Sequence, residues 1–180
     1  KGKISVDQAC EELRKLPFKD LSFAKVDHHR EIRTGYPEVI FCPGKTDLQI
    51  FMIFKELIGT GSNIIATRAK KSTYNFLSKR IKNIKYNMTA GIIYYDIKKM
   101  KMNKGYIAVV SAGTSDMPVA EEAAFTAEKM GNNVKRFYDV GVAGIHRLFS
   151  NIDDIMKANV IVVAAGMEGA LAGVVGGLVD

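Results

Sequence analysis

The sequence contains only two cysteines, Cys10 and Cys42, and they lie far apart. Without a closely spaced pair, both a zinc knuckle and the disulfide framework of a small secreted protein are excluded, so we expect a reducing, cytoplasmic compartment. No signal-peptide pattern precedes residue 20. Because the first residue is Lys1 rather than methionine, we expect that the natural chain begins earlier.

Composition places the chain among folded globular proteins. Of its 180 residues, 47% are hydrophobic and 25% are charged, which excludes a disordered or collagen-like chain and suffices for the core of one or two domains. We expect a small basic α/β lobe over residues 1–100 and a second domain over residues 101–180. Residues 96–105 are the expected connection between them.

Charge is divided unevenly between these two parts. Residues 1–105 hold 21 Lys and Arg against 10 Asp and Glu, a net charge of +11, whereas residues 106–180 hold 5 against 9, a net charge of −4. Such a lobe can draw an anionic nucleotide towards its neighbour, although a solvated lysine-rich surface gives the same pattern. We expect no nucleic-acid partner, because residues 79–104 carry no nucleic-acid-binding motif.

Hydrophobic periodicity predicts the elements of the N-terminal lobe. The predicted helices are 5–16, 47–58 and 72–81, and the predicted strands are 23–26, 39–41, 63–67 and 90–95. The polar stretch 27–38 is predicted as a loop. Its charged residues are a candidate lid over a charged ligand, and a surface ion-pair loop is the alternative; they are Asp27, Arg30, Arg33 and Glu38.

The second half alternates strands and helices more regularly. Predicted strands at 106–111, 134–138 and 160–165 are separated by helical segments, which predicts a parallel sheet between two helical layers, a three-layer α/β/α fold. Residues 158–179 are long enough to span a membrane. We expect no membrane contact, since Gly166 interrupts the run and Glu168 near its middle would cost about 2.5–3.5 kcal/mol in a bilayer.

Three loops that follow these strands carry candidate chemistry. The loop 111–118 leads from a strand to a helix, and its amides with the Thr114 and Ser115 hydroxyls can surround a phosphate while Asp116 accepts from a ribose hydroxyl. The alternative is a simple helix cap. In the next loop His146 can transfer protons and Arg147 can bind a carboxylate or phosphate, although a lone histidine is more often structural.

The third loop places Glu168 at the start of a helix, where the helix dipole favours a carboxylate and a simple terminal charge is the alternative. Because parallel strands end at one edge, the three loops are expected to form one site.

Two other motifs do not support a functional site. The first glycine of a Walker loop ending in Gly44-Lys45-Thr46 would fall at Val39, and His28 and His29 are adjacent and cannot share a metal on a strand.

The motifs together resemble the LarB family of the aminoimidazole ribonucleotide carboxylase (PurE) superfamily, whose fold is flavodoxin-like. The resemblance extends over nearly the whole chain and rests on DHHREIRTGYPEVIF with the following GKT, on IATRA, SAGTSDMPVAEEA and DVGVAGIHRLF, and on AGMEGALAGVVGGLV. It implies an enzyme of nickel-pincer nucleotide biosynthesis. Such an enzyme carboxylates the pyridinium ring of nicotinic acid adenine dinucleotide and cleaves its phosphoanhydride, which releases AMP.

The resemblance also implies roles for individual residues. His146 and Glu168 take the acid and base positions, and Arg147 clamps a carboxylate or phosphate. The residues implied in nucleotide binding are Ser111, Gly113, Thr114, Ser115, Asp116, Arg147 and Gly166. The implied co-substrate is carbon dioxide or bicarbonate, with no bound organic cofactor. Mg²⁺ can assist cleavage of the phosphoanhydride, although the sequence shows no recognisable cluster of metal ligands. The assembly that the resemblance implies is a homo-octamer.

The sequence departs from the family at one important point. The family adds a cysteine thiolate to the ring, and that cysteine lies downstream of the glycine-rich helix, beyond Asp180; neither Cys10 nor Cys42 occupies its position. We therefore expect these 180 residues to bind ligand without turnover. The alternatives are aminoimidazole ribonucleotide carboxylase or mutase activity, and a non-catalytic nucleotide-binding or assembly module.

Overall fold

A computed structural model describes Ser5, Asp7, residues 18–28 and residues 30–179, without the side chains of residues 32 and 33. Apart from Ser5 and Asp7, the predicted helix 5–16 lies outside the described residues.

The N-terminal lobe is built on a mixed four-stranded sheet. Its strands are β3 (Val39–Phe41), β4 (Ile64–Thr67), β5 (Lys85–Asn87) and β6 (Ile92–Tyr95), in the order β3-β4-β6-β5. β3 and β4 are parallel, and the other two pairs are antiparallel. An antiparallel hairpin of β1 (Phe18–Asp20) and β2 (Lys25–Asp27) precedes this sheet. The helices that the described residues of the lobe form are α1 (Arg30–Thr34), α2 (Asp47–Ile58) and α3 (Lys71–Ser78).

Local sequence explains why α2 forms where the periodicity predicts it. The Thr46 hydroxyl accepts from the Gln49 amide, and the Gln49 side chain accepts from the Thr46 amide, which satisfies two amides at the first turn. The helix ends at Gly59. Its apolar side chains recur at helical spacing and are buried in the core of the lobe; they are Ile50, Ile53, Phe54 and Leu57. Burial of each contributes about 1.5–3 kcal/mol.

The C-terminal domain is a three-layer α/β/α structure, as predicted. Its sheet has β7 (Ile107–Ser111) in the centre, flanked in parallel by β8 (Val134–Phe137) and β9 (Val160–Ala164). On one face, Val109 packs against α4 (Met117–Lys129). On the other face, Ala108 and Val110 belong to a core shared with α5 (Ile145–Phe149), α6 (Ile152–Met156) and α7 (Ala170–Gly176).

The two parts contact each other through α4. The Lys129 ammonium pairs with Asp96 at 2.9 Å and lies 4.0 Å from the centre of the Tyr94 ring. Phe125 meets the same ring edge to face, with ring centres 5.0 Å apart. Residues 96–106 contain no helix or strand, so the domain contact comes from side chains on α4 as well as from the connecting segment.

Several local predictions need correction. The short strands β1 and β5 were not predicted, because FKD and KYN are mostly polar and lack an apolar alternation. The stretch 27–38, predicted as a loop, contains α1. The apolar run 158–179 divides into β9, a turn and the seven-residue helix α7. Within the described part of the chain, no helix has the length and apolar character needed to cross a membrane.

Candidate functional site

The loops that follow β7, β8 and β9 lie at one edge of the sheet, because the three strands are parallel and adjacent. This is the edge at which α/β proteins bind ligands. A short 3₁₀ turn, Thr114–Asp116, leads from the β7 loop into α4, and another, Val142–Gly144, leads into α5. The β9 loop leads into α7, which contacts the second of these turns. The sequence prediction that three loops share an edge matches this arrangement.

Asp116 joins two of these loops. One oxygen of its carboxylate accepts from the Gly113 amide and the other accepts from the Gly166 amide, both at 2.9 Å. A Cβ at Gly166 would lie 3.0 Å from the Asp116 Oδ1 atom, so glycine permits this close approach. Asp116 is therefore a structural bridge across 50 residues of sequence. The ribose contact expected of it stays a prediction.

The β8 loop packs against the β7 loop through backbone contacts. The Val140 amide donates to the Ser111 carbonyl at 3.0 Å, and the Asp139 amide approaches the Ser111 hydroxyl at 3.4 Å. A Cβ at Gly141 would lie 2.8 Å from the Ala112 carbonyl oxygen, a distance that excludes a side chain without movement of the backbone. Ser111 is fully buried, so its hydroxyl supports the loops rather than facing solvent.

Arg147 is held at the edge by Asp139, which is not among the predicted site residues. An Arg147 Nη1 proton is donated to Asp139 Oδ2 at 2.6 Å. Asp139 has a left-handed backbone with φ of 58°, which directs the chain sharply after β8. The signal available in the sequence was a carboxylate directly beyond a β-rich run. One ion pair leaves several guanidinium protons available to a ligand.

The other predicted site residues are exposed at this edge. Thr114 and Ser115 lie in the turn before α4, and His146 lies in the first turn of α5. Glu168 is exposed in the loop before α7, next to Met167, whose backbone is left-handed. The structure thus brings residues of all three loops to one accessible surface. Their roles towards a ligand stay predictions.

The candidate lid is attached to the N-terminal lobe. The Asp27 amide donates to Glu38 at 2.7 Å, and Arg30 begins α1 with an exposed side chain. Glu31, which was not predicted, pairs with Lys98 and accepts from the Ser62 hydroxyl. These two hydrogen bonds lower the pKa of Glu31 below its usual value. The side chain of Arg33 lies outside the described residues, and closure over a ligand stays a prediction.

A second unpredicted cluster supports the β8 end of the sheet. Arg136 lies between Glu121 and Glu128 of α4, with nitrogen to oxygen distances of 2.8 and 2.6 Å. The Tyr138 hydroxyl donates to Glu121 at 2.7 Å. Burial alone would raise the pKa of Glu121, but its hydrogen bonds to Arg136 and Tyr138 outweigh burial and lower it. Burial and the Glu121 carboxylate raise the pKa of Tyr138.

Metal ligands are not gathered in the described ranges, where no group of three or more His, Cys, Asp or Glu side chains is placed to hold an ion. Cys42 is buried in the N-terminal lobe, and burial raises the pKa of its thiol to about 11. At neutral pH this thiol is protonated, which makes it a poor nucleophile.

Comparison with known proteins identifies the family. The family described as the LarB/PurE-like N-terminal domain matches residues 18–98, the segment from β1 to the turn after β6. An uncharacterized protein of Methanocaldococcus jannaschii is 36% identical over 188 residues, covering 99% of this chain and 73% of that protein. The chain belongs to the LarB/PurE-like family. Membership in the LarB/PurE-like family indicates an enzyme of carboxylase type.

Proposed function

We propose that this LarB/PurE-like protein acts on nicotinic acid adenine dinucleotide in the biosynthesis of the nickel-pincer nucleotide. In the proposed reaction, carbon dioxide or bicarbonate supplies a carboxylate to the pyridinium ring. Water cleaves the phosphoanhydride, so that AMP leaves and pyridinium-3,5-biscarboxylic acid mononucleotide remains. The observation that carries the proposal is the joining of loops at one sheet edge through the Asp116 carboxylate.

Phosphate and carboxylate groups of the substrate match the chemistry of the β7 and β8 loops. The Thr114 and Ser115 hydroxyls are exposed just before the 13-residue helix α4, whose N-terminus favours an anion. Arg147, already oriented by Asp139, supplies a charge-assisted hydrogen bond to a second anionic group. The site therefore offers donors to a ligand that carries more than one negative group.

Carboxylation requires temporary activation of the ring. A pyridinium carbon is electron-poor, so a thiolate first adds to the ring, and the resulting electron-rich carbon forms the new bond to carbon dioxide. A base then takes the ring proton, and departure of the thiolate restores the aromatic ring. We assign the proton transfers to His146 and Glu168, whose side chains are exposed at the edge. No step is assigned to a metal ion.

The thiol step is assigned to neither cysteine of this sequence. Cys42 is buried away in the N-terminal lobe with a raised pKa, and Cys10 does not match the family position. We therefore propose that the 180 residues bind the dinucleotide but do not carboxylate it. Incorporation of labelled bicarbonate into the dinucleotide by this chain alone would refute that proposal.

We also propose that the protein is a homo-oligomer, as the family resemblance implies with its octamer. The glycines of α7 support close packing between subunits, because a Cβ at Gly173 or Gly176 would meet nothing within 4 Å in the same chain. Val160 at the edge strand β9 and Met156 on α6 are about half exposed. Light scattering coupled to size-exclusion chromatography measures the assembly directly.

Calorimetric titration tests the proposed substrate. We expect nicotinic acid adenine dinucleotide to bind and aminoimidazole ribonucleotide to bind at least tenfold more weakly. Arg147→Gln should weaken binding of the dinucleotide by roughly 10–100-fold, since it removes a charge-assisted contact. Arg80→Gln is the matched control, because the Arg80 guanidinium lies far along the chain from these loops and donates to the Phe76 carbonyl of the preceding helix α3. Tighter binding of the purine nucleotide would reject the proposal.

A further inference from the structure

The Gly44-Lys45-Thr46 sequence has no part in the proposed function, yet it lines a polar cavity of about 540 Å³ in the N-terminal lobe. The cavity lies between the segments that follow β3 and β4, and includes Arg68 and Lys70. We propose that this cavity is a phosphate-binding site, separate from the C-terminal edge and independent of the proposed reaction.

Charge is the first observation that carries the proposal. Among the described residues, Lys45, Arg68 and Lys70 line the cavity together with one carboxylate, that of Asp47. Asp47 Oδ1 already accepts from the Thr73 hydroxyl at 2.7 Å. The Cys42 thiol on the inner wall is neutral at pH 7, because burial raises its pKa to about 11. The cavity therefore carries a net positive charge in a lobe that is itself strongly basic.

Topology is the second observation. β3, α2 and β4 form a parallel crossover, and the cavity lies beyond the carboxyl ends of its two strands, where open α/β sheets bind ligands. Arg68 lies directly after β4 with a left-handed backbone, φ 52°. A bulky residue rarely adopts this conformation, and such outliers concentrate at ligand sites.

The cationic side chains keep donors for a ligand. The Lys45 ammonium donates one proton to the Phe41 carbonyl at 2.7 Å, which fixes its position and leaves two protons. The Arg68 side chain is 57% exposed and pairs with Glu122 of α4 through Nε, at 3.3 Å. Its two terminal nitrogens have room to form a fork on phosphate oxygens. The first turn of α2 is already capped by Thr46, so its amides are not needed for the proposal.

Titration followed by amide NMR of the whole chain tests the site. With inorganic phosphate at low ionic strength, we expect saturable shifts at residues 44–47 and 68–72. The double variant Lys45→Gln/Lys70→Gln should weaken this binding at least tenfold. The matched control Lys79→Gln/Lys82→Gln removes the same charge from exposed positions and should change it less than twofold. Should the first double variant unfold, Arg68→Gln alone carries the same expectation.

AMP as a second probe separates two sources of the phosphate group. Equal affinities for phosphate and AMP indicate that the site recognises the phosphate group alone, whereas at least tenfold tighter binding of AMP indicates a nucleotide site. Either result supports the site if Lys45→Gln/Lys70→Gln weakens the binding. Arg147→Gln should leave these shifts unchanged, which separates this site from the C-terminal edge. The proposal is overturned by the absence of saturable shifts at 44–47 and 68–72, or by equal weakening in both double variants.

Discussion

The two halves of the molecule position polar groups in different ways. In the N-terminal lobe, side-chain ion pairs such as Lys98 with Glu31 connect elements around a core of large residues, Phe54 among them. In the C-terminal domain, backbone amides and glycines bring the loops together, and the buried helix residues of α4 are alanines. Short links between backbone amides and the Asp116 carboxylate fix the C-terminal edge with less freedom than paired long side chains do. This suits a site that must hold ring, phosphate and proton-transfer groups in fixed positions.

Sheet topology explains the contrast. Among the described strands, the N-terminal sheet has one parallel pair, β3 and β4, and therefore one crevice at the carboxyl ends of parallel strands. The C-terminal sheet is parallel throughout and brings three loops to one edge. The comparison predicts that substitutions at the C-terminal edge disturb dinucleotide binding and stability together, whereas comparable changes in the β1–β2 turn of the lobe disturb neither strongly.

The largest effect is expected at Asp116. Asp116→Ala removes the acceptor of two amides and should lower the free energy of unfolding by about 2–3 kcal/mol, because partly buried donors lose a charged partner. Dinucleotide binding should also fall, measured by calorimetry beside urea unfolding. The control is Asp20→Ala in the β1–β2 hairpin, where the carboxylate accepts from the exposed Ser22 amide. Equal losses in the two variants would contradict the comparison.

Glycines offer the next test. Gly141→Ala places a Cβ 2.8 Å from the Ala112 carbonyl oxygen and should cost about 1–3 kcal/mol of unfolding free energy through displacement of the loop. Gly173→Ala adds a methyl to the interior of α7 in open space, and should be neutral or stabilise the isolated subunit by up to about 1 kcal/mol. Thermal unfolding at low protein concentration distinguishes them, and destabilisation by Gly173→Ala alone would be the contrary result.

Part of the acid dependence of stability should arise in the Glu121 cluster, beside the contribution of Glu31. The folded-state pKa of Glu121 is lowered, so its contribution to stability is complete above the unfolded pKa of about 4.3 and is lost as the pH falls through the folded value. Glu121→Gln should cost about 1–2 kcal/mol at pH 7 and flatten the decline in stability below pH 5. Urea unfolding between pH 7 and pH 3 measures both; an unchanged acid slope argues against this assignment.

The smallest effect is expected at the surface pair of Lys135 and Asp154, 3.1 Å apart. Asp154→Asn should leave the free energy of unfolding nearly unchanged, because both partners are about half exposed and solvent screens them. A clear decrease in the free energy of unfolding, measured by urea unfolding, would contradict the expectation that this exposed pair contributes little to stability.

Local patterns predict those parts of the fold that local chemistry determines. The capping residues and apolar spacing predict α2 at its observed bounds, and the β-branched runs predict β7 and β9 within one residue. β5 was not predicted, because its three residues form a strand through pairing with β6 and carry no local strand pattern of their own. At the site, the sequence indicates the three loops, but the Asp116 contact to Gly166 depends on a fold that joins distant segments.

The most direct test of the central claim is an amide NMR titration of the chain with nicotinic acid adenine dinucleotide. The three loops are followed through residues 113–116, 146–147 and 166–168. The account predicts that amides in all three shift together and fit one dissociation constant. Shifts confined to one loop, or three unrelated constants, would contradict a single site at the edge of the parallel sheet.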